Sequence, residues 1–247
     1  MVPGRIRTGT SGFAYPAWSP RFYPPGMRGP DLLRHYAARL ATVELNNTFY
    51  RQPSPAAVDG WLAATPPDFR FAVKAQRGAS FRSLHVDPAE SVSWLTTPLR
   101  RFGERLGTIL FRVPENVRRD DAKLGALLRE WPADLPLALE FQDPSWHVDE
   151  VLRAVEDARA ALVTTDLETD DDPAVPLTIR RTGPFIYLRL RRPDYGAEEL
   201  RQWIARLEPF VSDGADAYVY FRHDEVGRGA ELALELATLA ADAGLGG

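Results

Sequence analysis

Four short apolar runs in this sequence each end in, or next to, an ionisable side chain. TVELNN carries Glu44, FAVK ends in Lys74, LALEF carries Glu140 and FIYLRL carries Arg189. Two carboxylates beside two cations form a set suited to acid/base chemistry, provided they share a partly dry cavity in which desolvation and neighbouring charge move their pKa values. Asp166 at the end of ALVTTD and His223 just past YVYFR extend the set, with Asp224 as a partner that could orient the imidazole. Thr10, Ser11, Asn46 and Thr48 supply uncharged polar groups for a ligand, and Tyr15 and Tyr50 supply aromatic faces. The same charges have a structural alternative, in which Glu44 or Glu140 pairs with Lys74 or Arg189 and closes the top of a core. For the set as a whole a site is favoured, because so many buried charges must be compensated and apolar residues would close a core at lower cost.

Lys74 has three possible roles: pairing with a carboxylate, binding an anion, or forming a Schiff base with a carbonyl compound, and ion pairing is the first expectation. It stands out because only Lys74 and Lys123 of the 30 basic residues are lysines. His35 and His147 fall within or beside helical patterns, and His85 falls in a connection, so His223 is the histidine of choice. Trp18, Phe22 and Tyr23 crowd the first loop with Tyr15, where they could wall the mouth of a site. Arginine pairs at Arg180-Arg181 and Arg191-Arg192 suit phosphate recognition but carry little weight in so arginine-rich a chain. Glu44, Glu140, Asp166 and His223 are metal-ligand types, yet no local ligand motif is present, so no metal site is assigned. A Gly-rich phosphate loop and a Gly-x-Ser-x-Gly elbow are both missing, and the sequence does not say whether a cofactor is used.

The elements that must position these residues alternate along the whole chain. Strand-like runs at 5–9, 42–45, 69–75, 107–113, 136–141, 158–166, 185–190 and 216–223 are separated by amphipathic segments. Helices are expected at 31–40, capped by Asp31, from Ser54 as N-cap with Pro55 in the first turn, and at 89–101, 120–131, 143–158, 197–210 and 229–243. The sixth connection, 167–184, is acidic and proline-bearing and reads as a loop. Eight β/α units in 247 residues predict one (β/α)8 TIM-type barrel spanning 1–247, with a weak or missing sixth helix. In that fold the C-terminal strand ends form the mouth where sites lie. Alternation admits about half of the strand-end residues to the lumen, and Glu44, Asn46, Lys74, Glu140, Asp166, Arg189 and His223 are the expected ones.

Composition narrows the partners. A formal net charge of -4 and a pI near 5.7 give no drive toward nucleic acid, so a small-molecule ligand is favoured. There is no cysteine, which removes disulfides and thiolate metal sites. The sequence shows neither a signal-peptide core nor an apolar run of membrane-spanning length, and a cytoplasmic protein without membrane partners is expected.

Taken in order, GTSGFAYPAW, FYPPG, YAARLATVELNNTFYRQPS, FRFAVKAQR, LGTILFRVPE, LALEFQDPSW and YVYFRHDEVG resemble the signatures of the YecE-like family, domain of unknown function 72. That resemblance implies a TIM-type barrel in a bacterial protein and supplies no reaction. It implies a shared pattern at Thr8, Gly9, Thr10, Ser11 and Gly12, at Glu44, Asn46, Thr48, Phe49 and Tyr50, and at Lys74, Glu140, Pro144, Ser145, Trp146, Tyr220 and Phe221. The chain departs from the family pattern at Gln142 and Asp143, at Arg191 and Arg192, at Arg222 and His223, and at Gly78, Ala79 and Ser80. These departures touch polar positions of the mouth, which implies an altered substrate or weakened activity, and His223 gains no support from the family.

The leading expectation is an enzyme, hydrolase or isomerase, acting on a sugar-like or phosphorylated small molecule. Glu44 and Glu140 would serve as acid and base, with Lys74 and Arg189 stabilising negative charge. The alternatives are a divalent-metal-dependent hydrolase or isomerase, in one version acting on nucleic acid, and a binding protein without catalysis. Oligomeric state is not legible.

Overall fold

The structure, a computed structural model, describes residues 2–167 and 177–247. Its strands are β1 (Ile6–Thr10), β2 (Thr42–Leu45), β3 (Arg70–Lys74), β4 (Leu106–Val113), β5 (Leu137–Phe141), β6 (Ala161–Asp166), β7 (Phe185–Leu190) and β8 (Asp216–Phe221). Its helices are α1 (Pro30–Ala37), α2 (Pro55–Ala63), α3 (Arg77–His85), α4 (Pro88–Thr96), α5 (Asp121–Glu130), α6 (Asp149–Asp157), α7 (Ala197–Ser212) and α8 (Arg228–Asp242). All strand pairings are parallel, and the sheet order β1-β8-β7-β6-β5-β4-β3-β2 brings the two end strands back together. The result is the expected TIM-type barrel, nearly closed.

The strands are buried on both faces, as a parallel sheet under a helical layer requires. Inside the barrel Ala72, Leu110, Ala138, Val163, Phe185, Tyr187, Tyr218 and Tyr220 pack into a plug, so the lumen is filled below its mouth. No helix among the described residues is long and apolar enough to cross a membrane.

Local signals explain most helix starts. Ser54 Oγ accepts from Ala57 N ahead of Pro55, as expected, and Asp87 and Asp120 cap α4 and α5 in the same manner. Three expectations need correction. Gly29, not Asp31, is the N-cap of α1, because Pro30 takes the first helical position. The connection holding His85 is itself helical: Gln76 caps α3, and a second helix, α4, starts at Pro88. β8 ends at Phe221, which leaves Arg222 and His223 beyond the sheet. The sixth connection falls partly outside the described residues, and its described part holds no helix.

Closure depends on β1 and β2, which share a single bridge, Ser11 with Glu44, and a bond from Gly12 N to Glu44 O of 2.8 Å. Tyr36 of α1 fills the rest of the seam. Its hydroxyl accepts from Thr10 N at 2.7 Å and donates to the Thr42 carbonyl at 3.0 Å. A Cβ on Gly9 would lie 2.0 Å from that same carbonyl, so only glycine lets β1 approach β2 this closely. Gly9→Ala is expected to destabilise the fold by at least about 3 kcal/mol by urea denaturation; a loss under about 1 kcal/mol would show that the seam has slack.

Candidate active site

Strand alternation carries side chains from β2, β3, β4, β5, β6 and β7 into the mouth just above the plug. Register sets Arg112 beside Glu140 on adjacent strands, and Thr165 beside Arg189. Arg189 is the centre. Its Nη1 donates to Glu140 Oε1 and Oε2 at 2.7 and 2.8 Å, and its Nη2 donates to Glu44 Oε1 at 2.9 Å. Tyr187, two residues earlier on the same face of β7, donates its hydroxyl to Glu44 Oε2 at 2.7 Å. Thr165 Oγ1 donates to Glu140 Oε1 at 3.0 Å. Arg112 Nε lies 3.0 Å from Glu140 Oε2, but its N–H is not aimed at that oxygen, so the contact is charge proximity without a hydrogen bond.

These contacts fix the ionisation of the carboxylates. Burial alone would raise both; for Glu44 the positive charges of Arg189, Lys74 and Arg191 and the Tyr187 hydrogen bond outweigh it and hold the group below the usual range. For Glu140 burial is overcome by Arg189 and Arg112 and by bonds from Arg189 and Thr165, which bring it down to about 2. Both are therefore ionised near neutral pH. Neither has a proton to give as a general acid, and each has its oxygens committed to donors.

The expected ion pair of Lys74 is not formed. Arg189 takes the two carboxylates instead, and no carboxylate among the described residues comes within 4.0 Å of Lys74 Nζ. The ammonium stands over the Phe49 ring, 4.5 Å from its centre. Burial first, then the positive charges of Arg189 and Arg112 working against Glu44 and Glu140, lower it to about 8. Arg191 is pushed down to about 10, by burial and then by Arg189. Its Nη1 and Asn46 Nδ2 both donate to Ser11 Oγ at 3.1 Å. Asn46 Oδ1 and Arg189 Nε are buried without a partner.

Of the residues expected in the site, Glu44, Lys74, Glu140, Arg189, Ser11, Asn46 and Tyr15 converge. Tyr15 donates its hydroxyl to Ser11 O at 3.2 Å and stacks on the exposed His223 ring, 4.9 Å away, at the rim. Asp224 does not orient that histidine: its carboxylate accepts from the backbone N–H groups of Val226, Gly227, Arg228 and Gly229. Asp166 points away from the lumen, since Thr165 holds the inward position, and pairs with Arg192 at 3.1 Å. Thr10 serves the β1/β2 seam, and Thr48 Oγ1 lies 2.7 Å from both the Leu45 and Lys74 carbonyls, a structural tie. Tyr50 projects into solvent, 79% exposed. Trp18, Phe22 and Tyr23 form no wall; they are buried and pack on one another.

Arg112, Thr165, Tyr187 and Arg191 belong to the site and were not among the expected site residues. Period-two alternation from Arg189 could have found Tyr187 and Arg191. Two cavities open here. One, of about 120 Å³, is lined by Arg112, Glu140, Thr165, Arg189 and Arg191, with exposed Glu115 at its edge. The other, of about 340 Å³, lies between α3 and the end of β4, is lined mainly by Phe49, Phe81, Leu84, Phe111 and Val117, and shares Arg112 with the first. Among the described residues no three His, Cys, Asp or Glu side chains are grouped to hold a metal ion.

The Glu140 shift has a direct check. A carboxylate held lower in the folded than in the unfolded state adds stability that is complete above the unfolded value of about 4.5 and is lost as pH falls toward 2, here on the order of 3 kcal/mol. The side-chain carboxyl ¹³C resonance of Glu140 is expected to remain that of an ionised group down to pH 3; a midpoint near 4.5 would contradict the assigned contacts.

The profile of the family described as "Protein of unknown function DUF72" matches residues 7–245. UPF0759 protein YunF of Bacillus subtilis is 26% identical over 133 residues, 50% of this chain and 47% of that protein, so the match spans about half the length of that relative. Among solved structures, a DUF72 family protein of Thermotoga maritima superposes with a TM-score of 0.85 at 25% identity, covering 96% of this chain and 99% of that one. A DUF72 family protein of Enterococcus faecalis gives 0.79 at 21% identity over 98% and 99%. The chain belongs to the DUF72 family of proteins of unknown function.

Proposed function

We propose that the barrel mouth binds a small anionic molecule, phosphorylated or sugar-like, and acts on it by proton-transfer chemistry. The observation that carries this reading is a charge imbalance. Among the described residues, Lys74, Arg112, Arg189 and Arg191 meet only Glu44 and Glu140 in the inner cluster, four positive charges against two negative, or +2. Both carboxylates are saturated by Arg189 and its neighbours, so the excess lies on Lys74, Arg112 and Arg191, and the two arginines line, with Glu115 at the edge, a cavity large enough for a phosphate-sized group. An anion there would offset the burial that pushes Arg191 down.

Roles shift accordingly from the carboxylates to the lysine. Glu44 and Glu140 fix Arg189 and shape the field; Lys74, lowered to about 8, is the group of the inner cluster whose protonation changes near neutral pH, as proton transfer requires. The aromatic cavity beside it accommodates the uncharged part of the ligand.

Inorganic phosphate at tenfold excess over its dissociation constant is expected to raise the melting temperature by about 3–5 °C, against a chloride control of equal ionic strength. Arg191→Met should remove most of that rise. No rise in the native protein at tens-of-millimolar phosphate, a range set by the weak affinity of so small an ion, would contradict an anion site; a rise without turnover of any phosphorylated sugar would mark a binding protein.

A further inference from the structure

A lysine that exchanges its proton near neutral pH also exposes an electron pair. Lys74 lies at the C-terminal end of β3, 9% exposed, and its ammonium is neither ion-paired within 4.0 Å nor hydrogen-bonded among the described residues. A lysine used only as a counter-ion would be expected to sit against a carboxylate, and two are close enough to act on it electrostatically. Instead Arg189 occupies both, which leaves the amine over the Phe49 ring; the lysine itself lines neither cavity. Phe49, under the amine, lines the larger cavity, and Arg112 lines both. A ligand anchored through its anionic group in the smaller cavity and extending by way of Arg112 into the larger one brings its carbon skeleton against Phe49, the ring under the amine.

We propose that Lys74 is a covalent nucleophile, and that the ligand of this mouth is an anionic carbonyl compound, a 2-oxo acid or a phosphorylated ketose or aldose, held as an imine on Nζ. The inference rests on the anion site proposed above and names the class of its substrate. In the step itself the neutral amine adds its electron pair to the carbonyl carbon, the C=O π pair moves to oxygen, and that oxygen takes up a proton as nitrogen releases one. The hydroxyl of this carbinolamine then leaves with a further proton from solvent as one molecule of water, giving the iminium. Nothing is oxidised or reduced. The surroundings supply the two conditions such a step needs. With its lysine lowered to about 8, roughly a tenth of the amine is neutral at pH 7, where a free lysine would be neutral in fewer than about one in a thousand molecules. Arg112 and Arg191 hold the anionic group away from the reacting carbon, so the charge that binds the ligand does not quench the nucleophile.

The chain carries its own control, because Lys123, on the exposed side of α5, is the one other lysine. The protein is incubated separately with pyruvate, dihydroxyacetone phosphate and uncharged dihydroxyacetone in the presence of cyanoborohydride, which reduces an iminium to a stable secondary amine, and the adducts are mapped by peptide mass spectrometry. Labelling of Lys74 by one of the two charged probes should be at least about tenfold faster than labelling of Lys123. It should be slowed by inorganic phosphate and exceed labelling by dihydroxyacetone, and the faster probe tells whether a carboxylate or a phosphate is the anchor. Lys74→Arg should lose the adduct and keep the phosphate-induced rise in melting temperature. Equal labelling of the two lysines, or none at Lys74, with the phosphate effect intact would overturn the imine and leave the anion site standing. Loss of the phosphate effect in the native protein would overturn both.

Discussion

A single guanidinium sets the electrostatics of this barrel. Glu44 on β2 and Glu140 on β5 approach one another across the lumen, with the aromatic plug beneath them, where two carboxylates without compensation would be driven to take up protons. Arg189 on β7 lies between them and binds both, so three strands, no two of them neighbours in the sheet, are tied by one side chain. Its planar fork suits that geometry; a lysine would offer a point charge without the two-sided reach. Desolvating three charges is costly, and replacing such a triad by apolar residues is often neutral or stabilising elsewhere. Its presence at the mouth is therefore better explained by what it does to the surrounding field than by a contribution to stability.

Once Arg189 has neutralised the carboxylates, the remaining cations define the site. Tyr187 and Thr165 satisfy the outer lone pairs of Glu44 and Glu140, which leaves Lys74, Arg112 and Arg191, among the described residues, with no carboxylate in hydrogen-bonding or ion-pair contact that is not already shared. Among the described residues this inner cluster is thereby positive, inside a chain whose overall charge is -4. Local charge and net charge disagree in sign, and a small ligand is governed by the local one.

The barrel was legible because its signals are repeated: eight apolar runs, amphipathic segments between them, and a proline or capping residue at several helix starts. The convergence of Glu44, Lys74, Glu140 and Arg189 was legible for the same reason, since each interrupts an apolar run near its C-terminal end. Faces at strand ends were harder. In ALVTTD the polar residues are consecutive, so sequence alone cannot say whether Thr165 or Asp166 points inward. His223 was placed by extending β8 two residues too far. The segment RGASFRSLH lacks a clear apolar stripe, which hid α3 and with it the larger cavity. Arg112 and Arg191 were obscured by abundance, being two of 28 arginines in the chain. The partner of each charge was not legible at all, because which carboxylate a lysine or arginine reaches depends on the register and tilt of strands that are not neighbours in sequence.

The most direct test of the account is the stability of Arg189→Met compared with that of the triple variant Arg189→Met, Glu44→Gln, Glu140→Gln, by urea denaturation at pH 7. If Arg189 is the counter-ion on which both carboxylates depend, the single variant loses about 3–5 kcal/mol and the triple variant, freed of the two unpaired buried charges, recovers a substantial part of it. A single variant within about 1 kcal/mol of the native protein, or a triple variant no more stable than the single one, would contradict it.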